Sequence, residues 1–331
     1  MFVCPACRGP LEASASAYAC RPCGHRYPIV CGIPDFRLAP DPYIGILEDR
    51  RKAERLFQEG ADRSFEQLLR YYYAVTPEDP ADLAERWIAR SLAEVEIASG
   101  VAAAAPWEAP AGARLLDVGC STGALLIAMA DRHPDGVGVD VALRWLAIGR
   151  IRLREARVDA TLVCANAEHL PFPTASFGVV TCVDTLEHVA DAAAALREAH
   201  RASQTGAPLL CTANNRLAPL PEPNIHLWGV GYLPKQWRAG YVRWRRRDLH
   251  PYRIHLLTAG DLDAAARGAG YESVAVGPAP LVAPHARGTQ RRALALYRWM
   301  RTKPVMRSLL RALGPRLLLT GRATASKRPS P

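Results

Sequence analysis

The chain has no run of about 18 uncharged apolar residues, the length a helix needs to cross a bilayer. Its first residues, Met1-Phe2-Val3-Cys4-Pro5, lack the basic start and apolar stretch of a secretory signal. Together these predict a cytoplasmic protein. No G-x-x-x-x-G-K-S/T segment occurs, which excludes a P-loop. Apolar residues make up 49% and charged residues 22%, so disorder, collagen and coiled coil do not describe the whole. Acidic residues are missing from the entire C-terminal stretch, because Glu272 is the last one. Of the 42 Lys and Arg, twelve lie beyond it, from Arg287 to Lys327 and Arg328, which leaves 30 basic against 32 acidic residues before it. The net charge of +10 therefore belongs to a tail, and the near-neutral body argues against a polyanion gripped along its length.

What the chain does have is cysteine in one place. Four of its nine cysteines form Cys4-x2-Cys7 and Cys20-x2-Cys23. In a reducing compartment such pairs are zinc ligands, not disulfides. A closed Cys4 set leaves no open position on the ion, so this site is expected to be structural and to let some 35 residues with few large apolar side chains fold. His25 and Cys31 are nearby, but the simpler reading leaves them out. The segment Tyr18–Arg37 resembles the small zinc ribbons found beside some bacterial methyltransferases. Residues 38–108 follow as a helical linker or lid, with one helical pattern over about 48–73 and another over about 81–98.

Between Ala113 and Asn214 apolar strands alternate with helical patterns. Arg114-Leu-Leu-Asp117-Val-Gly119-Cys120-Ser121-Thr-Gly123 is a strand entering a small-residue turn. Val137-Gly-Val-Asp140 is a short strand ending in an acid, and Val179–Val183 ends in Asp184-Thr-Leu-Glu187-His188. This alternation predicts an α/β fold, a doubly wound and mostly parallel sheet whose ligand lies beyond the strand C-termini. The turn has Ser121 where a dinucleotide site wants its central Gly, so a pyrophosphate is not favoured. Asp140 is placed to accept both hydroxyls of an unsubstituted ribose. An adenosine without phosphates, such as S-adenosylmethionine, suits that pattern.

These segments, with Asn166–Phe177, resemble the class I S-adenosylmethionine-dependent methyltransferases, which have a Rossmann-like fold and include the ubiquinone-pathway enzymes. The likeness covers roughly residues 105–275. It implies that Asp117, Gly119 and Gly123, with Cys120 and Ser121 in the same turn, surround the methionine part. It further implies that Asp140 holds the ribose and that Ala167 offers its N–H to adenine. Asn166 stands where the family usually has Asp and still has an amide oxygen to accept from the adenine amine.

For catalysis, His188 is the first candidate base, since it follows the fourth strand and titrates near neutrality. Asp184 is the second. A histidine starting a helix for structural reasons is the competing reading. The insertion 214–256 interleaves aromatics, among them Trp228, Tyr232, Trp237, Trp244 and Tyr252, with arginines. Such a surface seats an RNA base, a lipid-linked substrate, or nothing at all. In the tail, Leu and Trp alternate in blocks with Lys and Arg, the composition of an interfacial helix.

The expected organisation is a zinc ribbon at 1–37, the helical region 38–108, a cofactor-binding domain at 109–280 and a basic amphipathic tail at 281–331. The expected function is methyl transfer to a small-molecule or lipid-linked acceptor at oxygen, with peripheral contact at the inner membrane surface. Two alternatives stay open: an rRNA methyltransferase that uses the ribbon as a clamp, and a non-catalytic ribbon adaptor.

Overall fold

Four short antiparallel strands open the chain: β1 (Leu11–Ala13), β2 (Ala17–Cys20), β3 (Arg26–Val30) and β4 (Ile33–Pro34). This computed structural model describes all residues except 1, 77–79, 105–107, 109, 248–252, 285 and 326–331; Tyr252, Lys327 and Arg328 thus lie outside the described residues. The ribbon is too small to bury a core of its own, and it shares one with the body. Phe36 is fully buried, with ring centroids 5.0 Å from Phe2 and 5.2 Å from both Tyr18 and Tyr27, while Phe2 also meets Phe172 of the body. Burying one such phenyl ring stabilises the junction by roughly 1.5–3 kcal/mol.

Three helices follow: α1 (Ile46–Glu59), α2 (Phe65–Ala74) and α3 (Ala81–Ala104). The single helix expected over 48–73 is broken at Gly60, where an added Cβ would lie 2.9 Å from Ile151. Ser64 then starts α2 with a reciprocal capping box to Gln67. Tyr72 and Tyr73 pack on Trp145, so the Tyr71–Tyr73 run serves packing.

The central layer comprises β5 (Leu115–Val118), α4 (Ala124–Met129), β6 (Gly136–Asp140), α5 (Leu143–Ala156), β7 (Thr161–Cys164), β8 (Val179–Val183), α6 (Ala192–Ala202) and β9 (Pro208–Asn214). The insertion carries α7 (Lys235–Arg245). The chain ends with α8 (Ala259–Gly268), β10 (Tyr271–Pro278), α9 (Gly288–Thr302), α10 (Pro304–Leu313) and β11 (Arg316–Ala323). Strand order is β10-β11-β9-β8-β5-β6-β7; β11 runs antiparallel to both its neighbours and the remaining strands run together. The sheet is α/β and mostly parallel, as expected. All of β5 is buried between its neighbours β6 and β8, which explains Leu115, Leu116 and Val118 flanking the single acid Asp117.

The expected tail differs from the structure in one respect. Leu317–Leu319 do not belong to an interfacial helix: they lie in β11, inserted between β9 and β10, and each is at most 5% exposed. The seventh strand of the sheet thus comes from beyond residue 280. Gly314-Pro315 ends the helical pattern, and a short apolar run after such a break fits a core strand as well as a helix.

Candidate active site and metal centre

The carboxyl ends of β5, β6, β7 and β8 meet along one edge of the sheet. After β5 the chain turns tightly at Gly119, whose φ is +78°; a Cβ there would lie 2.0 Å from Thr185 Oγ1. Only glycine fits, because the turn and the β8 loop close on each other. The N–H groups of Gly119 and Cys120 both donate to the Val139 carbonyl, which ties the turn to β6. Cys120 turns its thiol inward: Gly138 is the residue that makes room for it, and a Cβ there would approach Cys120 Sγ to 2.6 Å. Its side chain is core, and only its backbone belongs to the turn. Gly123 has the same left-handed φ and starts α4. Ser121 holds a left-handed φ of 47° without glycine's freedom.

Two carboxylates stand beside this turn. Asp117, 3% exposed, accepts from Thr181 Oγ1 at 2.8 Å; burial pushes its pKa up to about 7, with Asp140 adding to the rise. Asp140 accepts from the N–H of Ser121 at 2.9 Å and of Ala142 at 2.8 Å. Burial raises it to about 6 against those two hydrogen bonds. Among the described residues no cationic side chain forms an ion pair with either acid. Such a pair favours a ligand that brings its own positive charge.

At the end of β7, Asn166 is not free to meet adenine. Its Oδ1 accepts from the N–H of Leu38 at 2.9 Å and of Ala39 at 3.1 Å, and its Nδ2 donates to the Ala39 carbonyl at 3.3 Å. The amide expected to read the base is spent on the chain leaving the ribbon. Ala167 is buried beside it.

The β8 loop carries the catalytic candidates. Asp184 is pinned by Arg316 Nε and Arg90 Nη2, each at 2.7 Å, and by the Thr212 hydroxyl. Although burial opposes it, Arg316 and Arg90 hold its pKa below the ordinary value. A carboxylate so committed is an ion-pair anchor and a poor base. His188 is half-buried and its pKa is lowered by burial, against the fields of Asp184 and Asp41. Burial thus favours the neutral imidazole, the form able to take a proton. Glu187, which sequence reasoning passed over, is fully buried; Oε1 accepts from Asn214, Oε2 has no hydrogen-bond partner among the described residues, and burial with the Asp184 charge raises its pKa to about 8. Beyond this loop an open cleft of about 240 Å³ is lined by Arg90, Asn214, Arg216, Tyr232, Val282 and Arg316 among others. Arg90 and Arg316 come from α3 and β11, far from any motif, so no local signal in the sequence marks them.

In the ribbon, the sulfurs of Cys4, Cys7, Cys20 and Cys23 all lie within 4.8 Å of one another. A tetrahedral thiolate set on zinc places its sulfurs about 3.8 Å apart, given Zn–S of ~2.3 Å. The donor set therefore fits one zinc ion; His25 and Cys31 are not part of it.

A family described as a methyltransferase domain matches residues 116–211, from β5 into β9. The chain is 33% identical over 132 residues to a ubiquinone biosynthesis O-methyltransferase of Idiomarina loihiensis, covering 40% of this chain and 51% of that protein. It is 40% identical over 116 residues to a demethylmenaquinone methyltransferase of Roseiflexus sp., covering 34% and 47%. The chain thus spans about half the length of the curated relatives it matches. A solved S-adenosylmethionine-dependent methyltransferase of Thermotoga maritima overlaps with a TM-score of 0.46 at 18% identity, covering 75% of this chain and 97% of that one. Sheet order, glycine turn and family match together give residues 116–211 the class I methyltransferase fold.

Proposed function

We propose that this chain transfers the methyl group of S-adenosylmethionine to a hydroxyl oxygen of a small-molecule or lipid-linked acceptor. The observation that carries this reading is the pair of buried Asp117 and half-buried Asp140, both with raised pKa values and no ion-pair partner among the described residues, beside a glycine turn. When bound, S-adenosylmethionine supplies an electrophilic methyl group and a positive charge. Asp117 faces the charged methionine end, Asp140 the ribose, and the Gly119 turn lets the backbone come close. The cleft lined by Arg90, Arg216 and Arg316 receives the acceptor and excludes water, and most of the acceleration comes from holding the two reactants in line. His188, kept neutral, takes the acceptor's proton as the oxygen attacks. Asp184 positions Arg90 and Arg316 in the cleft wall. The relative named a ubiquinone biosynthesis O-methyltransferase favours oxygen as the acceptor atom, and both relatives' names favour a quinone-type small molecule. Cys4, Cys7, Cys20 and Cys23 would hold a structural zinc ion. The basic helices α9 and α10 support contact with an anionic membrane surface.

Two measurements test this. Calorimetry should show S-adenosylhomocysteine binding to the purified protein, and labelled methyl should pass to a quinol-type acceptor. His188→Ala should lower kcat by roughly 10²–10⁴-fold while leaving the affinity for S-adenosylhomocysteine unchanged. No binding of that ligand, or labelling confined to RNA, would overturn the proposal.

A further inference from the structure

The segment that leaves the ribbon does more than connect two folded parts. Phe36 N–H donates to the Cys164 carbonyl at 2.7 Å, and Asp35 pairs with Cys164 in parallel register, so this segment continues the main sheet past its edge strand β7. Arg37, its side chain fully buried, bonds Asp35 through Nε and Nη2, Asp49 through Nη1 at 2.6 Å, and the Val141 carbonyl at 3.0 Å. Val141 directly follows the ribose candidate Asp140. Asp49 in turn accepts from the N–H of Leu143 at 2.9 Å, and Arg144 bridges Asp49 and Asp41. A buried network thus joins Asp35, Arg37, Asp41 and Asp49 to the loop that presents Asp140. The next two residues, Leu38 and Ala39, occupy the amide of Asn166 at the end of β7. Asp41 is buried and accepts from Arg144, the residue that also bonds Asp49, so the network reaches the start of the helix that follows Asp140.

We infer that residues 35–41 form a wall of the nucleoside end of the groove, and that metal loading of the ribbon and binding of the adenosyl ligand are therefore one coupled equilibrium. This rests on the cofactor reading proposed above. A wall packed at one end on Tyr27 of the ribbon and tied at the other to Asn166 loses one of its supports when the ribbon unfolds. A ribbon this small depends on its ion for folding. Coupling of this kind typically amounts to 5–150-fold in affinity and is reciprocal. Zinc removal should weaken the adenosyl ligand, and the ligand should tighten zinc by the same factor.

The test uses the full chain loaded with zinc. Transfer of zinc to a chromogenic chelator is measured at equilibrium with and without saturating S-adenosylhomocysteine, and calorimetry of that ligand is run on zinc-loaded and zinc-stripped protein. The expected result is at least five-fold tighter zinc with ligand, and a matching loss of ligand affinity without zinc. Ala39→Pro deletes one backbone donor to Asn166 without touching a cysteine or a strand, and it should weaken ligand binding several-fold at full zinc content. The chelator experiment starts from folded, loaded protein, so it decides the matter even if stripping unfolds the chain. Ligand binding with no effect on zinc affinity overturns the coupling. No ligand binding to the loaded protein overturns the cofactor reading beneath it.

Discussion

At the scale of single residues, burial without a counter-charge is the feature with consequences. Asp117, with a pKa near 7, is largely protonated at pH 6 and largely ionised at pH 8. A ligand carrying an ammonium group selects the ionised form. Affinity for S-adenosylhomocysteine should therefore rise roughly ten-fold from pH 6 to pH 8, with proton release on binding. Calorimetry in buffers of different ionisation enthalpy measures both, and a flat profile with no proton release would remove Asp117 from the ligand's surroundings. Asp117→Asn should flatten the profile.

Glu187 gives the opposite kind of prediction. Its folded pKa, near 8, is raised above its unfolded value, so below about pH 4.5 both states are protonated and nothing is lost. Above that the unfolded chain ionises first, and stability falls as pH rises toward 8. Glu187→Gln keeps an oxygen for Asn214 and cannot ionise. It should raise the melting temperature at pH 8 by a few degrees and leave it unchanged near pH 5; an equal effect at both values would mean that ionisation is not the cause.

At the scale of elements, the motif-bearing strands were legible because they carry their own signals. An apolar run ending in Asp and followed by glycines identifies β5, and an acid after Gly-Val identifies β6. Helix α8 likewise starts on a reciprocal capping box between Thr258 and Asp261, a spacing visible in the sequence. What was not legible depends on partners distant in sequence. Arg316 and Arg90 meet Asp184 across 132 and 94 positions, and Asn166 meets Leu38 across 128. Nothing local to Asp184 distinguishes a base from an ion-pair anchor. Strand β11 hid for a different reason: its leucines sit in a basic, Leu-rich stretch whose helical pattern is real up to Leu313. Its place between β9 and β10 has a direct consequence. A chain ending at Pro284 should fail to fold cooperatively, because it exposes two strand edges and loses Leu317 and Leu319 from the core. A chain ending at Ala325 should melt like the full protein. Cooperative melting of the shorter chain in circular dichroism would show that the sheet closes without β11.

At the scale of the whole molecule, α9 and α10 form a pair set apart from the rest by charge. From Arg287 to Arg311 there are eight Lys or Arg and no acid. Only Tyr297 and Leu310 are buried in these two helices, while Leu296, Trp299, Val305, Leu309 and Leu313 are exposed, Val305 by 74%. Exposed leucines and a tryptophan among unopposed cations suit an anionic lipid surface, where each cation contributes about 1 kcal/mol and the apolar side chains add to that by insertion. The pair also stands beside the cleft: the carbonyls of Ala312 and Gly314, where α10 ends, accept from Asn215, and Pro315 and Arg316 line the opening. Replacing Trp299, Val305 and Leu309 together by serine removes insertion while sparing Tyr297, Leu310, β11 and every cation. That variant should no longer float with vesicles containing anionic lipid, whereas wild type should float at low salt and less at high salt. Its affinity for S-adenosylhomocysteine should equal that of wild type, which separates loss of docking from loss of fold. Unchanged flotation of the triple variant would mean that charge alone carries the attraction. If wild type does not float at all, the exposed face of α9 and α10 serves something other than a membrane.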